Sequence, residues 1–272
     1  MTHDLERRRE GPTSYLIGGE GPVVLFLHGI PGSADAWTSV ASELQDRYRV
    51  IVPDLLGFGR SAPSVDDYYM VGQARAVAAL LDALDVSSFS LVTHDFGGPV
   101  GLTLLRDHSE FQLARLVLAS TNVFTDTYVP PPLRIASVPV VGTLAFGAFV
   151  GNRFGLRLLY QQAVARKDAL PWSRFQRHLT PSAMTQTRRI FQRSLADMEA
   201  NYGSIEAMLP DLDVPALVLW GDRDPFFDVT VGERTTGALP DARFVRFERT
   251  GHFVPEERPG DVAEELRTFL AA

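Results

Sequence analysis

Short apolar runs alternate along the chain with longer stretches whose apolar residues recur at helical spacing. The runs Val23–His28 (VVLFLH), Tyr48–Pro53, Ser88–His94 (SFSLVTH) and Leu113–Ala119 are brief and almost free of charge. Such runs suit strands buried on both faces of a parallel sheet. Between them Ala34–Leu44, Val71–Leu84 and Gly98–Arg106 read as helices, the second rich in Ala and Leu at i, i+3 and i+4. Ala216–Trp220 (ALVLW) and Phe244–Phe247 resume the strand pattern, and a helix near Val262–Leu270 closes the chain. The alternation predicts an α/β fold with a mostly parallel central sheet flanked by helices.

The alternation fails in the middle. From 122 to 209 the chain shows helical pieces broken by Pro130–Pro132, Pro139, Pro171 and Pro181, and no strand. The expected organisation is therefore a core of residues 1–121 and 210–272, with an inserted helical cap, or lid, at 122–209. Within it, Val138–Leu159 is apolar enough to suggest a membrane helix. Its four glycines, together with Asn152, Arg153 and Arg157, argue against one, since a span needs roughly 20 mostly apolar residues. A water-excluding lid is the better reading.

Composition removes several function classes. The net charge of −7 and the lack of a long basic run argue against a nucleic-acid partner. With no cysteine, disulfides and thiolate metal sites are excluded. The first eleven residues are charged and Arg-rich, unlike a signal peptide, so a cytoplasmic protein is expected. Arg outnumbers Lys so heavily, Lys167 being the only lysine, that a GC-rich bacterial source is suggested by association.

The candidate chemistry begins at Thr93-His94-Asp95-Phe96-Gly97-Gly98. A strand ends, one carboxylate follows, and two glycines open a helix. A sharp strand-to-helix turn of this kind lifts one side chain above the sheet as a nucleophile, beside the free N–H groups of the helix start. An Asp that merely caps the helix would look the same. Two later signals weigh against that bland reading. Gly221-Asp222-Arg223-Asp224 follows one strand, and Gly251-His252-Phe253 follows the next. Nucleophile, acid and histidine thus arrive in order at three strand ends, where open α/β sheets place their sites.

These segments resemble the α/β-hydrolase superfamily, and within it the branch of epoxide hydrolases and haloalkane dehalogenases. His28-Gly29-Ile30-Pro31 is similar to that branch's H-G-x-P motif, Asp54–Ser61 (DLLGFGRS) to its D-x-x-G-x-G-x-S segment, and His94–Gly98 to its H-D-W-G-G elbow. Thr93 stands where Gly is usual. The resemblance implies Asp95 as nucleophile, His252 as base and Asp224 as the acid that orients it, Asp224 fitting the family's G-x-x-D spacing better than Asp222. It also implies an oxyanion hole from the backbone N–H groups of Ile30 and Phe96, worth about 3–4 kcal/mol per donor in a comparable enzyme. Some relatives carry the acid after the earlier strand, but Ser120-Thr121-Asn122 offers no carboxylate. His28 and His94 are read as structural.

An aspartate with a reference pKa of about 3.9 is already ionised and needs no base to attack a saturated carbon. Against a carboxylic ester it would yield an anhydride, which disfavours esterase or lipase chemistry. The leaving group separates the remaining options. A halide needs side-chain N–H donors, yet Phe96 and Ile30 occupy the places where dehalogenases carry Trp and Trp or Asn; Trp172 alone is a poor clamp. An epoxide alkoxide needs a neutral acid, and a tyrosine, with a pKa of about 10, can donate to it. Resemblance to the epoxide hydrolases suggests Tyr160 first, then Tyr202, with Tyr128 as fallback. The expectation is an epoxide hydrolase forming a vicinal diol from a small hydrophobic substrate and water, with Trp172 and Phe253 lining the pocket. No cofactor or metal, no membrane, and a monomer or homodimer are expected. The alternatives are a haloalkane dehalogenase or other hydrolase acting at a saturated carbon, and a non-catalytic ligand-binding member of the fold.

Overall fold

The computed structural model describes residues 5–128, 142 and 153–272. Most of the stretch Val138–Leu159 lies outside them. Eight strands form one sheet in the order β1-β2-β4-β3-β5-β6-β7-β8. They are β1 (Glu6–Glu10), β2 (Thr13–Gly18), β3 (Val23–Leu27), β4 (Arg49–Pro53), β5 (Ser88–His94), β6 (Gln112–Ala119), β7 (Ala216–Gly221) and β8 (Ala242–Phe247). From β4 to β8 every pairing is parallel, while β1 and β2 pair antiparallel at one edge. The predicted α/β architecture is the one observed.

The central strands are apolar on both faces because both are covered. Leu25, Leu27, Leu91, Leu116, Leu118, Val218 and Trp220 belong to one buried cluster, which also takes residues from α2 (Met70–Ala83), α3 (Gly97–Asp107) and α7 (Met198–Met208). Their alternates Val24, Phe26, Val92, Val117, Leu217 and Leu219 belong to another, with Val40 and Ala41 of α1 (Thr38–Ser42) and Val262, Leu266 and Phe269 of α10 (Pro259–Ala271). This period of two is the pleat written in side chains.

Between β6 and β7 the described elements are all helical: α4 (Arg153–Ala163), α5 (Trp172–Phe175), α6 (Pro181–Ala196) and α7, with short 3₁₀ turns. Thr180 caps α6 by accepting from the Ala183 N–H, with Pro181 at the first helical position. Asp197 likewise caps α7 by accepting from Ala200, which turns the chain back toward the sheet. After β7 come α8 (Val229–Ala238), β8, the single-turn α9 (Val254–Glu257) and α10. No helix among the described residues is long and apolar enough to cross a membrane.

Three features differ from the pattern reading. Ala34–Leu44 is a 3₁₀ turn at Ala34–Ala36 followed by the short α1 rather than one helix. Helix α8 shows little amphipathic pattern (VTVGERTTGA), so the sequence pattern does not mark it. The hairpin of β1 and β2 is likewise unmarked by pattern. Strand β1 is almost entirely exposed and carries three consecutive arginines, so no apolar alternation announces it. Arg7 joins it to the core by reaching the buried Asp54 carboxylate at 2.7 Å.

Candidate active site

Strand β5 delivers the candidate nucleophile. Asp95 follows its last residue at φ 49°, in the left-handed region that costs a non-glycine residue energy. The turn is held by its own main chain: Asp95 N–H donates to Ala119 O at 3.1 Å, and Thr121 Oγ1 donates to Asp95 O at 2.7 Å. Gly97 opens α3 directly over β3, where a Cβ would lie 2.4 Å from Leu27 O. The strained turn therefore needs glycine beside it to seat the helix so close.

The two carboxylate oxygens of Asp95 have different surroundings. Oδ2 accepts the main-chain N–H of Ile30 at 2.7 Å, and Phe96 N–H also bonds to the carboxylate. Oδ1 faces His252 Nε2 at 3.7 Å. The other imidazole nitrogen, Nδ1, lies 2.8 Å from Asp224 Oδ2. Asp224 is held in turn, its Oδ1 accepting the N–H groups of Phe226 and Phe227 at 2.9 and 3.2 Å. Asp222 turns elsewhere and accepts from Thr250 N–H. One carboxylate oxygen thus rests on the Ile30 N–H, the other faces an imidazole, and a second carboxylate fixes the imidazole as Nδ1–H.

Burial sets the charges. Desolvation pushes the Asp95 carboxyl above its ordinary pKa, while His252 and the Ile30 and Phe96 N–H groups pull it back. Burial draws His252 toward neutrality, but Asp224 and Asp95 outweigh it and leave the imidazole above its ordinary 6.5. His252 is enclosed by rings: Phe226, Phe227 and Phe253 meet it edge-on with centroids at 5.0, 5.7 and 5.1 Å, and His94 lies at 4.9 Å.

The remaining histidines organise loops. His94 Nε2 donates to the main-chain carbonyl of His252 at 2.9 Å, and burial lowers the His94 pKa to about 3, so its ring is neutral. His28 accepts Leu55 N–H on Nε2 and donates from Nδ1 to Gly29 O. Asp54, first residue of DLLGFGRS, accepts from Ala34 N–H, Arg60 N–H and Arg7. It ties β4 to the loop that carries Ile30.

The tyrosines separate. Tyr160 is buried in α4, and its hydroxyl donates to Leu170 O at 2.9 Å among Trp172 and Phe175. Trp172 belongs to that same cluster and carries Arg157 over its ring at 5.3 Å. Phe253 bridges the cluster to His252, with its ring 5.1 Å from Phe175 and 5.1 Å from the imidazole. Tyr202 of α7 is buried, hydrogen-bonds to Ser194 and Tyr69, and feels the Asp95 charge; burial first, with that charge adding, holds its pKa near about 12. Tyr128 is exposed. Tyr69 is the residue the pattern did not offer. Its ring lies 5.9 Å from Phe96 and its hydroxyl 3.0 Å from Ser194 Oγ. It precedes α2 in a core segment, and only the Tyr68-Tyr69 pair at a helix start marked it. Among the described residues no group of three or more acidic or imidazole side chains is arranged to hold a metal ion.

The family described as alpha/beta hydrolase fold matches residues 22–259. The chain belongs to that family. A relative from Shewanella oneidensis named cis-3-alkyl-4-alkyloxetan-2-one decarboxylase is 30% identical, covering 94% of this chain and 84% of its own. Haloalkane dehalogenase 2 of Mycobacterium tuberculosis is 27% identical, covering 94% of this chain and 90% of its own. An epoxide hydrolase solved without ligand superposes with a TM-score of 0.78 at 20% identity, covering 95% of this chain and 94% of that one, which shows the shared fold. At the level of the family, the chain is an α/β-hydrolase, and its curated relatives include enzymes named a dehalogenase and an oxetanone decarboxylase.

Proposed function

We propose that this α/β-hydrolase is an epoxide hydrolase with Asp95 as nucleophile, acting on a hydrophobic substrate in the cytoplasm. The carrying observation is the company Asp95 keeps. The buried Tyr202 hydroxyl, linked to Ser194 and Tyr69, lies within electrostatic reach of its carboxylate, while Ile30 and Phe96 bring no side-chain N–H for a halide.

Asp95 Oδ1 attacks a ring carbon, the carbon–oxygen bond of the epoxide breaks, and Tyr202 gives its proton to the alkoxide. Oδ2, already held by the Ile30 N–H with the Phe96 N–H also on the carboxylate, becomes the carbonyl oxygen of the ester. Water gives a proton to His252 Nε2 and attacks that carbonyl carbon, placing the oxyanion on these backbone donors. Collapse releases the diol and the carboxylate, and the imidazolium proton restores Tyr202 through the pocket. One water has been added across one carbon–oxygen bond. Asp224 keeps the imidazole oriented and stabilises its cation throughout.

A second reading keeps Asp95 and His252 but changes the leaving group. It is favoured by the relatives named a dehalogenase and an oxetanone decarboxylase, both of which act on compounds with a leaving group on saturated carbon. Epoxides, haloalkanes and β-lactones assayed side by side for diol, halide and carbon dioxide separate the readings. A single turnover in ¹⁸O-water is expected to label Asp95 and leave the first diol unlabelled. Label in that first diol would mean that water attacks the substrate directly, and the nucleophile assignment would fall.

A further inference from the structure

Three backbone N–H groups converge on a buried carboxylate that the chemistry above does not use. Glu257, last residue of α9, is fully buried. Its Oε2 accepts from Gly251 at 3.1 Å, Ala165 at 2.9 Å and Arg166 at 2.7 Å. Gly251 directly precedes His252, whereas Ala165 and Arg166 follow α4. Alongside, the His252 N–H donates to Ala163 O at 2.9 Å. One side chain and one main-chain bond therefore tie the histidine loop to residues 163–166.

The other oxygen, Oε1, has no hydrogen-bond partner. An anchor alone would need only an acceptor, which a glutamine also supplies. A carboxylate brings charge as well, and in a buried setting that charge is weakly screened and reaches His252.

We propose that Glu257 is a positioning residue for His252: its carboxylate ties the histidine loop to residues 163–166, and its charge steadies the imidazolium there during ester hydrolysis. This rests on the reading of His252 as the hydrolytic base. Three titratable groups face the imidazole, Asp224 from the loop after β7, Asp95 from the elbow and His94 from β5, and the charge of Glu257 on α9 also reaches it. Glu257 acts in the same sense as the two aspartates and favours the imidazolium, while neutral His94 does not. Burial raises the pKa of Glu257 itself, and the three N–H donors and His252 oppose that. Tyr160 also feels the Glu257 charge.

The test is an NMR titration of the His252 ring nitrogens, which needs no substrate. In the parent protein the amides of Gly251, Ala165 and Arg166 should show an inflection at the His252 midpoint. In Glu257→Gln, which keeps an acceptor and loses the charge, the midpoint should fall by roughly half a unit or more. The acid limb of turnover should move with it, with kcat lowered and KM little changed. Glu257→Asp, which keeps the charge but shortens the reach, should lower kcat severalfold with the midpoint near the parent value. An unchanged midpoint in Glu257→Gln with kcat lowered equally at every pH overturns the proposal, leaving a fold anchor. Flat parent amides overturn it also, whether or not the variants fold. Because the ring titration is read without turnover, failure of the Asp95 ester would leave this result standing.

Discussion

The Tyr160 hydroxyl donates to the carbonyl of Leu170 at 2.9 Å, so the donor that would protonate an alkoxide is already committed inside the insertion. Tyr202, in contrast, shares hydrogen bonds with Ser194 and Tyr69 and feels the Asp95 charge. Tyr202→Phe is therefore expected to slow ring opening about 10²-fold or more, the usual scale for loss of a general acid, while hydrolysis of a preformed ester is nearly unchanged. Tyr160→Phe should keep the rate of chemistry and lose about 1 kcal/mol of stability through the orphaned carbonyl. Burst kinetics with a chromogenic epoxide and a denaturant melt check both. A large loss of ring opening in Tyr160→Phe would exchange the two roles.

On the proposed chemistry, His252→Gln removes the base for the second step without disturbing the first. A covalent adduct should accumulate on Asp95 and be visible as an intact-mass increase equal to the substrate. In the parent enzyme the base must be neutral. Because Asp224 and Asp95 hold the imidazole above its ordinary 6.5, activity should fall with one-proton slope as pH drops through a midpoint above that value. A midpoint below it would contradict the electrostatic account.

Gly29 leaves no room for a side chain, since a Cβ there would lie 2.4 Å from Asp95 Cβ and 2.6 Å from Oδ2. Gly29→Ala must push the carboxylate off its donors. We expect kcat to drop by roughly 10²-fold, the cost of misplacing a reacting group by about 1 Å, with circular dichroism unaltered. Parent-like turnover would show that Asp95 tolerates displacement.

His178 and Glu256 form a buried pair at 3.2 Å, with Ser33 Oγ 3.1 Å from the far ring nitrogen and Arg174 3.8 Å from the carboxylate. Burial pulls His178 down, but Glu256 outweighs it and raises its pKa above 6.5. For Glu256, burial pushes upward, and His178 and Arg174 outweigh it and bring its pKa below 4.5. The raised histidine contributes stability below its unfolded pKa and loses it as pH rises through the folded one. The depressed carboxylate contributes above its unfolded pKa and loses it as pH falls through the folded one. The pair's full contribution should lie between about pH 4.5 and 6.5. His178→Ala, which leaves Glu256 short of its partner, should cost about 3 kcal/mol within that window, and less as pH rises. Thermal melts across pH compare the variant with the parent; a constant difference would refute the pairing.

How much of this was legible in the sequence depends on whether a feature writes itself as pattern. The central strands did, because burial on both faces demands unbroken apolar runs such as VVLFLH. The elbow at Asp95 did, because a strand, a carboxylate and two glycines are local. Three strand ends converging on one site follow from parallel topology, so Asp95, Asp224 and His252 could be grouped before any distance was known. The β1 strand did not, since ERRRE is held by backbone pairing and by long-range bonds from Arg7 to Asp54 and Asp35 and from Arg9 to the Arg60 carbonyl. Tyr69 and Glu257 did not either. Both depend on contacts with residues far along the chain, and no spacing rule records which carbonyl or amide a side chain will meet.

The bond from His252 N–H to Ala163 O means that the insertion is not a detachable cover. Exchanging this segment for one from another family member would also replace an attachment point of the proposed proton acceptor. Substrate scope and turnover would then be inherited together. Grafts that preserve the Ala163 carbonyl position should be the ones that remain active.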